Sequence, residues 1–234
     1  MNRDEFLGRV RQATAAGRAY RVHVPPVGPE AGYVGAAADL CAALASEIQS
    51  VGGIPQVVDD WHAAQAAVLA WLQHYGVRHA ICWQHPTLER LQLREALTAH
   101  QIQATGYDEL SALAHDEQRR LMLNADIGIT GVDYAVAETG TLAVCARPGQ
   151  ERSPSLVAPI HVAVVHQSQI LPDLFDLFAR WPPQSLPSNV ALITGPSKTG
   201  DIELELTTGV HGPGHWHVVI VRESATSGAE NHGR

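Results

Sequence analysis

Residues 126–147 read DIGITGVDYAVAETGTLAVCAR, and the fold assignment starts from this stretch. Two short apolar runs, 126–130 and 140–146, have the length and composition of buried strands. The segment between them is rich in glycine and short polar residues, which are typical of turns. We therefore predict two strands joined by a tight, turn-rich connection.

Polar side chains gather in that connection. Glu138, Thr139 and Thr141 lie next to glycines, where a carboxylate and two hydroxyls add little to a core. Open α/β sheets bind their ligands at the carboxyl ends of strands, so this grouping predicts a polar site. We expect Glu138 to serve as a nucleophile, a general base or a polar anchor, and the two threonines to orient it or to bind ligand. The alternative is a carboxylate that only accepts backbone hydrogen bonds within the turn.

Strand and helix signals alternate on both sides of this stretch. Apolar runs predict strands at 54–58, 77–83, near Ile102, and at 161–165, 190–194 and 217–221. Apolar residues at helical spacing predict helices over 2–16, 37–51, 61–75, 87–99, 108–123 and 171–178. This alternation predicts an α/β fold with a mostly parallel open sheet and helices on both faces. A TIM barrel has a similar order, but the irregular strand spacing after residue 126 favours the open sheet.

Composition divides the chain into three predicted parts. Residues 1–35 are expected to form an N-terminal helix followed by a wrapping arm, because 21–35 contains three prolines and three glycines. Residues 36–222 form the predicted α/β domain. Residues 223–234 are polar and are expected to be a flexible tail.

The overall composition argues against several classes of protein. A hydrophobic fraction of 45% and a charged fraction of 17% supply a full core for 234 residues. The formal net charge is -8, from 16 Lys+Arg against 24 Asp+Glu, and without a basic block we expect no nucleic-acid partner. No apolar run approaches the roughly 20 residues that span a bilayer, so we expect no membrane span.

The cysteines indicate a reducing, cytoplasmic location. Cys41, Cys82 and Cys145 are far apart and form no CxxC pair, so we expect neither an iron–sulfur cluster nor a thiolate zinc site in this chain. An odd number of cysteines, in a chain whose N-terminus has no apolar signal-peptide region, fits the cytoplasm.

A second polar cluster reads GPSKTGDIELE, at 195–205. Ser197 and Thr199 offer hydroxyls and Lys198 offers a positive charge, so the loop forms an anion cradle if a helix starts at Thr199. The spacing of a Walker A loop is absent, and a polar turn that caps a helix explains the same residues equally well. Asp201 either caps the following turn or joins the site.

A third cluster reads GVHGPGHWH, at 209–217, and contains three histidines without a carboxylate among them. A turn that enters the last strand explains this segment better than a zinc site, so we predict no metal here. His211 remains a candidate proton carrier near neutral pH. Arg152 is a candidate to pair with a ligand carboxylate, or else to hold a loop in place.

The order and spacing of several long motifs carry a family resemblance. These are ADIGITGVDYAVAETGTLAV (125–144), Arg152, SLVAPIHVAVV (155–165), ITGPSKTGDIELELTTGVHGP (193–213) and HVVIV (217–221). In these motifs, which span roughly the C-terminal half, the chain resembles the LUD-domain family. Lys198 stands where arginine is usual, which keeps the charge but loses the planar guanidinium.

The resemblance implies a fold like that of the ribose-phosphate isomerase and CoA-transferase superfamily, and a cytoplasmic role in the oxidation of L-lactate to pyruvate. It implies two partner proteins, one of them an iron–sulfur protein, and no cofactor in this chain. We therefore expect an accessory or ligand-binding subunit that holds a small anionic ligand, with its catalytic status open. One alternative is a CoA-transferase-like enzyme in which Glu138 forms an acyl anhydride and then a thioester. A sugar-phosphate isomerase-like enzyme ranks last, because only the loop 195–201 suits phosphate.

Overall fold

The computed structural model describes residues 2–17, 39–181, 187–199 and 207–222. The chain divides into two compact units, 1–32 and 33–234. The described part of the first unit is helix α1 (Arg3–Gly17), at the place where the sequence predicts a helix. The predicted wrapping arm and the predicted tail lie outside the described residues, so both stay predictions.

The second unit contains the remaining helices and strands. Its described helices are α2 (Leu40–Ser50), α3 (Trp61–His74), α4 (Pro86–Arg90), α5 (Leu93–Ala99), α6 (Tyr107–Ser111), α7 (His115–Leu123) and α8 (Leu174–Ala179). Its described strands are β1 (Ile54–Val58), β2 (His79–Cys82), β3 (Gln103–Thr105), β4 (Ile127–Thr130), β5 (Tyr134–Val136), β6 (Thr141–Cys145), β7 (Ile160–His166), β8 (Ile170–Leu171), β9 (Val190–Ile193), β10 (Lys198–Thr199), β11 (Thr207–Thr208) and β12 (His215–Val221).

The main sheet has six parallel strands in the order β1-β12-β7-β4-β2-β3. Its central strands β4, β7 and β12 are buried along most of their length. Near-continuous apolar runs are what a strand needs when both faces of the sheet are covered. The predicted α/β fold with a mostly parallel sheet is therefore confirmed.

A smaller sheet, in the order β8-β5-β6-β9, is mixed. β5 and β6 form an antiparallel hairpin, β8 pairs parallel to β5, and β9 pairs antiparallel to β6. Helix α8 packs Leu177 against Val136 and Ala143 on one face of this sheet. The two strands predicted at 126–130 and 140–146 thus belong to different sheets, and the connection between them contains a strand, β5, that the prediction missed.

Two predicted helices were wrong in extent, because each is broken in two. The helix predicted over 87–99 divides into α4 and α5 at Gln92, whose φ of 49° is left-handed. The buried residues Leu91 and Leu93 lie on either side of this break, a two-residue spacing that one continuous helix face does not provide. The helix predicted over 108–123 likewise divides into α6 and α7.

Two further predictions need correction. Leu171 belongs to β8 rather than to a helix, because Asp173 caps α8 by accepting a hydrogen bond from the Asp176 N–H at 2.8 Å. The helix considered from Thr199 does not start there, because Lys198 and Thr199 pair with Thr208 and Thr207 in the two-stranded β10–β11 sheet.

Two histidines lie inside the main sheet's layers. The Nε2 of His161 hydrogen bonds with the Thr130 hydroxyl at 2.9 Å, and the Nε2 of His217 with the Tyr75 hydroxyl at 3.0 Å. Burial lowers the pKa of His161 to about 3. Burial, followed by the neighbouring His215 and His74, lowers the pKa of His217 to about 4. Both imidazoles are therefore neutral in the folded protein near pH 7.

These lowered pKa values predict acid sensitivity. An unfolded histidine has a pKa of about 6.5, so as the pH falls below that value the unfolded state binds protons that the folded state refuses. We expect the free energy of unfolding to fall between about pH 6.5 and pH 4, by up to about 1.4 kcal/mol per pH unit for each histidine. Urea unfolding at a series of pH values measures this slope.

The substitution His217→Asn should remove about half of the slope, and His62→Asn, at an exposed position on α3, should leave it unchanged. A free energy of unfolding that stays flat from pH 6.5 to pH 5 would contradict the assignment of both histidines as buried and neutral.

Candidate functional site

Because the strands of the main sheet are parallel, their carboxyl ends meet at one edge. Trp61 follows β1, His85 follows β2, Asp133 follows β4, and His166 ends β7. With Arg90 from α4 they line a cavity of about 340 Å³. We call this cavity, defined by these five residues, the carboxyl-edge cleft.

Helix caps place the cleft residues at the strand ends. The Asp60 carboxylate accepts a hydrogen bond from the Ala63 N–H at 2.7 Å and starts α3, so that Trp61 is the first helical residue. His85 caps α4 in the same way and is followed by Pro86, which suits the first position of a helix. The cleft is thus built where strands turn into helices.

One wall of the cleft is a stack of three side chains. The indole of Trp61 stacks on the imidazole of His166, with ring centroids 5.6 Å apart and planes 17° apart. The Arg90 guanidinium carbon lies 4.5 Å from the Trp61 ring centroid. A cation over an aromatic face is attracted by the ring quadrupole, so the stack fixes a positive charge at the cleft.

His85 is the most constrained group of the cleft. The residue is 8% exposed, and its Nδ1 accepts a hydrogen bond from the Thr87 N–H at 3.2 Å. A Cβ atom at Gly131 would lie 2.2 Å from that Nδ1, so the ring occupies its place only because residue 131 is glycine. Burial lowers the pKa of His85, an effect that the Asp133 carboxylate partly offsets and Arg147 reinforces.

The negative charge in the cleft is already balanced. The Asp133 carboxylate accepts a hydrogen bond from the Cys145 N–H at 2.7 Å and forms an ion pair with Arg147. Its side chain is 11% exposed. Asp133 is thus matched by Arg147, while Arg90 adds a positive charge to the cleft.

A second cavity, of about 520 Å³, adjoins the cleft, and His85 lines both. Its floor is apolar and its rim carries Arg94, which donates a hydrogen bond to Glu109 at 3.0 Å. The apolar floor residues are Cys82, Trp83, Leu88, Leu93, Leu97 and Ala104. The two cavities together follow the carboxyl ends of β1, β7, β4, β2 and β3.

Three of the residues predicted from sequence meet at the C-terminal end of α2. The hydroxyl of Thr141 lies 2.7 Å from that of Thr139 and 2.8 Å from that of Thr194. The Lys198 ammonium donates a hydrogen bond at 2.6 Å to the carbonyl of Val51, the residue that caps α2.

Gly140 holds the first of these loops against the same helix end. It has a φ of 63°, and a Cβ there would lie 2.7 Å from the backbone of Glu47. The helix therefore touches the loop backbone directly. We call this grouping of Thr139, Thr141, Thr194 and Lys198 the α2-end cluster.

The other predicted residues are spread more widely. Glu138 is half-buried next to the α2-end cluster, and its N–H donates to the Pro172 carbonyl at 3.0 Å. Ser197 binds through its backbone to Pro213 and Gly209, in a turn whose His211 is exposed. Thr199 pairs in β10, and Asp201 lies outside the described residues.

Arg152 lies in a different part of the second unit. It is exposed and lines an open cavity of about 460 Å³ together with Tyr107, Arg147 and Glu151. The Glu151 carbonyl accepts a hydrogen bond from the Trp83 indole at 2.7 Å, so this segment packs near the end of β2. Arg152 therefore lines a cavity near β2, while Lys198 binds the end of α2. The roles predicted for these residues stay predictions.

The residues of the carboxyl-edge cleft were not among the predicted site residues. A signal exists for two of them, since Trp61 begins the predicted helix 61–75 and His166 directly follows the predicted strand 161–165. His85-Pro86 and Asp60-Trp61 in particular are a capping residue followed by a first helical residue. Strand ends and helix starts therefore indicate Trp61, His85 and His166, but not Arg90 or Asp133.

Comparison with known proteins identifies the family. A family model described as the LUD domain matches residues 41–221. The chain therefore belongs to the LUD domain family. A solved structure of a DUF162 family protein from Deinococcus radiodurans has the same fold, with a TM-score of 0.53 and 21% identity, over 78% of this chain and 96% of that one.

Two relatives have informative names. The chain is 31% identical over 157 residues to Lactate utilization protein C of Halalkalibacterium halodurans, a match that covers 65% of this chain and 66% of that protein. It is 31% identical over 139 residues to Lactate utilization protein B of Shouchella clausii, covering 56% of this chain and 28% of that protein. The chain thus spans slightly under two thirds of the first relative and a smaller part of the second.

Two features are absent from the described residues. Within the described ranges, no group of three or more histidine, cysteine, aspartate or glutamate side chains is arranged to hold a metal ion. Among the helices that the structure describes, none has the length and apolar character needed to cross a membrane.

The fit of His85 against residue 131 can be tested directly. In Gly131→Ala the new methyl group displaces the buried imidazole, and the Thr87 N–H loses its acceptor. We expect the free energy of unfolding to fall by about 1–3 kcal/mol, as measured by urea denaturation.

Gly8→Ala serves as the control, because no atom lies within 4 Å of a Cβ built at Gly8. It should leave the unfolding midpoint of the second unit unchanged. Equal midpoints for Gly131→Ala and the unsubstituted protein would mean that the ring is not held as described.

Proposed function

We propose that this chain is an accessory, ligand-binding subunit of a cytoplasmic system that oxidises L-lactate to pyruvate. The names of its relatives, Lactate utilization proteins C and B, support this role. In the proposal an iron–sulfur partner carries the electrons. The chain has three cysteines, whereas a cluster takes four thiolates, so a separate protein suits that task.

We further propose that the ligand is a small monocarboxylate, bound in the carboxyl-edge cleft. The observation that carries this proposal is the stack of Arg90, Trp61 and His166, which fixes a guanidinium at the cleft. A guanidinium matches the planar carboxylate with two parallel hydrogen bonds. Lactate and pyruvate each carry one such carboxylate, and the one negative charge of Asp133 is already paired with Arg147.

The α2-end cluster remains the alternative place for an anion, as the sequence analysis predicts. Its cation, Lys198, already binds a carbonyl at the C-terminal end of α2. That end of a helix carries a partial negative charge, which attracts cations and repels anions. On electrostatic grounds the carboxyl-edge cleft is therefore the stronger candidate, and the two sites can be separated by substitution.

The binding site is tested by titrating the purified chain with L-lactate and with pyruvate in a calorimeter. We expect Arg90→Met to weaken binding by at least tenfold, because a charge-assisted bidentate contact is worth about 1.5–3 kcal/mol. Lys198→Met should leave the affinity unchanged, and so should Arg119→Met, a control at an exposed arginine on α7.

Loss of binding in Lys198→Met with none in Arg90→Met would place the ligand at the α2-end cluster instead. No binding of either acid by the unsubstituted protein would overturn the proposed ligand.

The accessory role makes a separate prediction. The purified chain alone should show no reduction of a redox dye on addition of L-lactate, and activity should appear only when the iron–sulfur partner is added. Absorbance of the dye measures the rate. Turnover by the isolated chain, at a rate typical of enzymes, would show instead that it is catalytic on its own.

A further inference from the structure

We propose that the larger cavity of the carboxyl edge, of about 520 Å³, is a second binding site, and that it takes a small organic cation with an apolar body. The cavity lies at the carboxyl ends of β2 and β3 and shares His85 with the carboxyl-edge cleft. We call it the β2–β3 cavity. Its ligand differs in charge from the monocarboxylate proposed for the neighbouring cleft, so each site can be tested without the other.

The β2–β3 cavity lies where the order of strands in the main sheet reverses. β3 pairs with one side of β2 and β4 pairs with the other, so the chain turns first one way and then the opposite way. Open α/β sheets bind their ligands in the crevice at such a reversal, outside the carboxyl ends of the strands. The volume also falls within the range of about 300–1,000 Å³ that is usual for small-molecule sites. Position and size therefore both indicate a small ligand.

The floor of the β2–β3 cavity offers apolar contact. Burial raises the pKa of the Cys82 thiol to about 12, so this group stays neutral and contributes a soft apolar surface. The Trp83 indole N–H donates to the Glu151 carbonyl at 2.7 Å, which leaves the ring of Trp83 to pack as an apolar body. The other apolar residues of the floor are Leu88, Leu93, Leu97 and Ala104. A ligand with an apolar body gains affinity here by removing apolar area from water.

The charged residues around the cavity are mostly acidic. Burial lowers the pKa of His85, so its imidazole is neutral near pH 7 and adds no charge. The described lining then contains four carboxylates and one guanidinium, all on exposed residues, which are Glu89, Arg94, Glu95, Asp108 and Glu109. The charge of the ligand can therefore be inferred from which of these groups already neutralise one another.

Arg94 is neutralised by Glu109. Its guanidinium donates a hydrogen bond to the Glu109 carboxylate at 3.0 Å. The Gly106 N–H lowers the pKa of Glu109, an effect that burial partly offsets and Arg94 reinforces. Glu109 is therefore ionised near pH 7, and the pair contributes no net charge to the cavity.

Three carboxylates remain in excess. Asp108 accepts a hydrogen bond from the Gln84 amide at 2.6 Å, and because that donor is neutral the negative charge stays in place. Within the described ranges, neither Glu89 nor Glu95 forms an ion pair. Such a rim attracts a cationic head group and repels an anionic one. An ammonium or guanidinium group at the rim, joined to an apolar body at the floor, is the ligand that matches both parts.

The experiment compares three probes with the same phenylethyl body and different head groups: phenethylamine, 2-phenylethanol and 3-phenylpropionate. Calorimetric titration of the full chain near pH 7 should give the amine the highest affinity, then the alcohol, then the acid. We expect the amine to bind on the order of tenfold more tightly than the acid, because exposed charge pairs contribute modestly and several act together here. Equal affinities of the amine and the acid, or no binding of any probe, would overturn the proposal.

A variant assigns this preference to the rim. Glu95→Gln removes one excess charge and keeps the shape of the side chain, so the amine should bind about threefold more weakly while the alcohol is unaffected. Glu117→Gln, at an exposed glutamate on α7, changes the net charge of the protein by the same amount and is the matched control. It should change none of the three affinities. An equal effect of both variants would show that the preference comes from the overall charge and not from this cavity.

A spectroscopic measurement locates the probe in the unsubstituted protein. We expect nuclear Overhauser effects between the phenyl protons of bound phenethylamine and the methyl groups of Leu88 and Leu93. Ala104→Phe places a ring in the cavity from β3 and should abolish binding of the amine and the alcohol together. An amine that binds without contact to these leucines would also overturn the proposal. Titration with pyruvate or L-lactate reports on the neighbouring cleft alone, so its result leaves this test unaffected.

Discussion

The parallel alignment of the main sheet is the constraint on which the candidate site depends. With β1, β2, β4 and β7 running in one direction, four strands end at the same edge and deliver Trp61, His85, Asp133 and His166 to one cavity. No two of these residues are close in sequence. Helix caps then fix Trp61 and His85 in place, since Asp60 and His85 use their side chains to start α3 and α4. The direction of the strands in the sheet therefore determines the geometry of the cleft more than any loop does.

The two polar groupings of the second unit differ in the charge that they can accept. At the end of α2 the backbone carbonyls point outward, and Lys198 satisfies one of them. The hydroxyls of Thr139, Thr141 and Thr194 hydrogen bond to one another and so tie β6 to the end of β9. At the carboxyl edge the Arg90 guanidinium instead lies over the aromatic face of Trp61. A lysine thus serves packing at the end of α2, whereas an arginine at the carboxyl edge suits a ligand.

Hydrophobic pattern is sufficient to predict the main sheet, because β7 and β12 are apolar along their length whichever strands they pair with. It is not sufficient to predict which sheet a strand joins. β6 pairs with β9, whose partner residues lie some fifty positions later, and no local signal carries that information. The sequence pattern does not predict the break at Gln92 either. The left-handed backbone conformation of this residue depends on the packing of its neighbours. For the site, the glycine-rich turns predict polar clusters because their composition differs from that of the apolar strands around them. The cleft residues were not predicted because a histidine that caps a helix, or an arginine at a helix end, has an ordinary role in most proteins, and parallel pairing brings these residues together.

The position of β12 has a consequence for how the protein is made. This strand, late in the chain, lies between β1 and β7 and pairs with both. During vectorial synthesis β1 has no partner in the main sheet until residues 215–221 have left the ribosome, which at about 5–20 residues per second means a wait on the order of ten seconds. From the time that β7 leaves the ribosome until β12 follows, the nascent chain presents an open, apolar strand edge at β7, the kind of surface that chaperones recognise and that aggregates when it is left uncovered. Completion of the sheet is therefore a late, long-range event, and folding speed should be governed by topology more than by local helix formation.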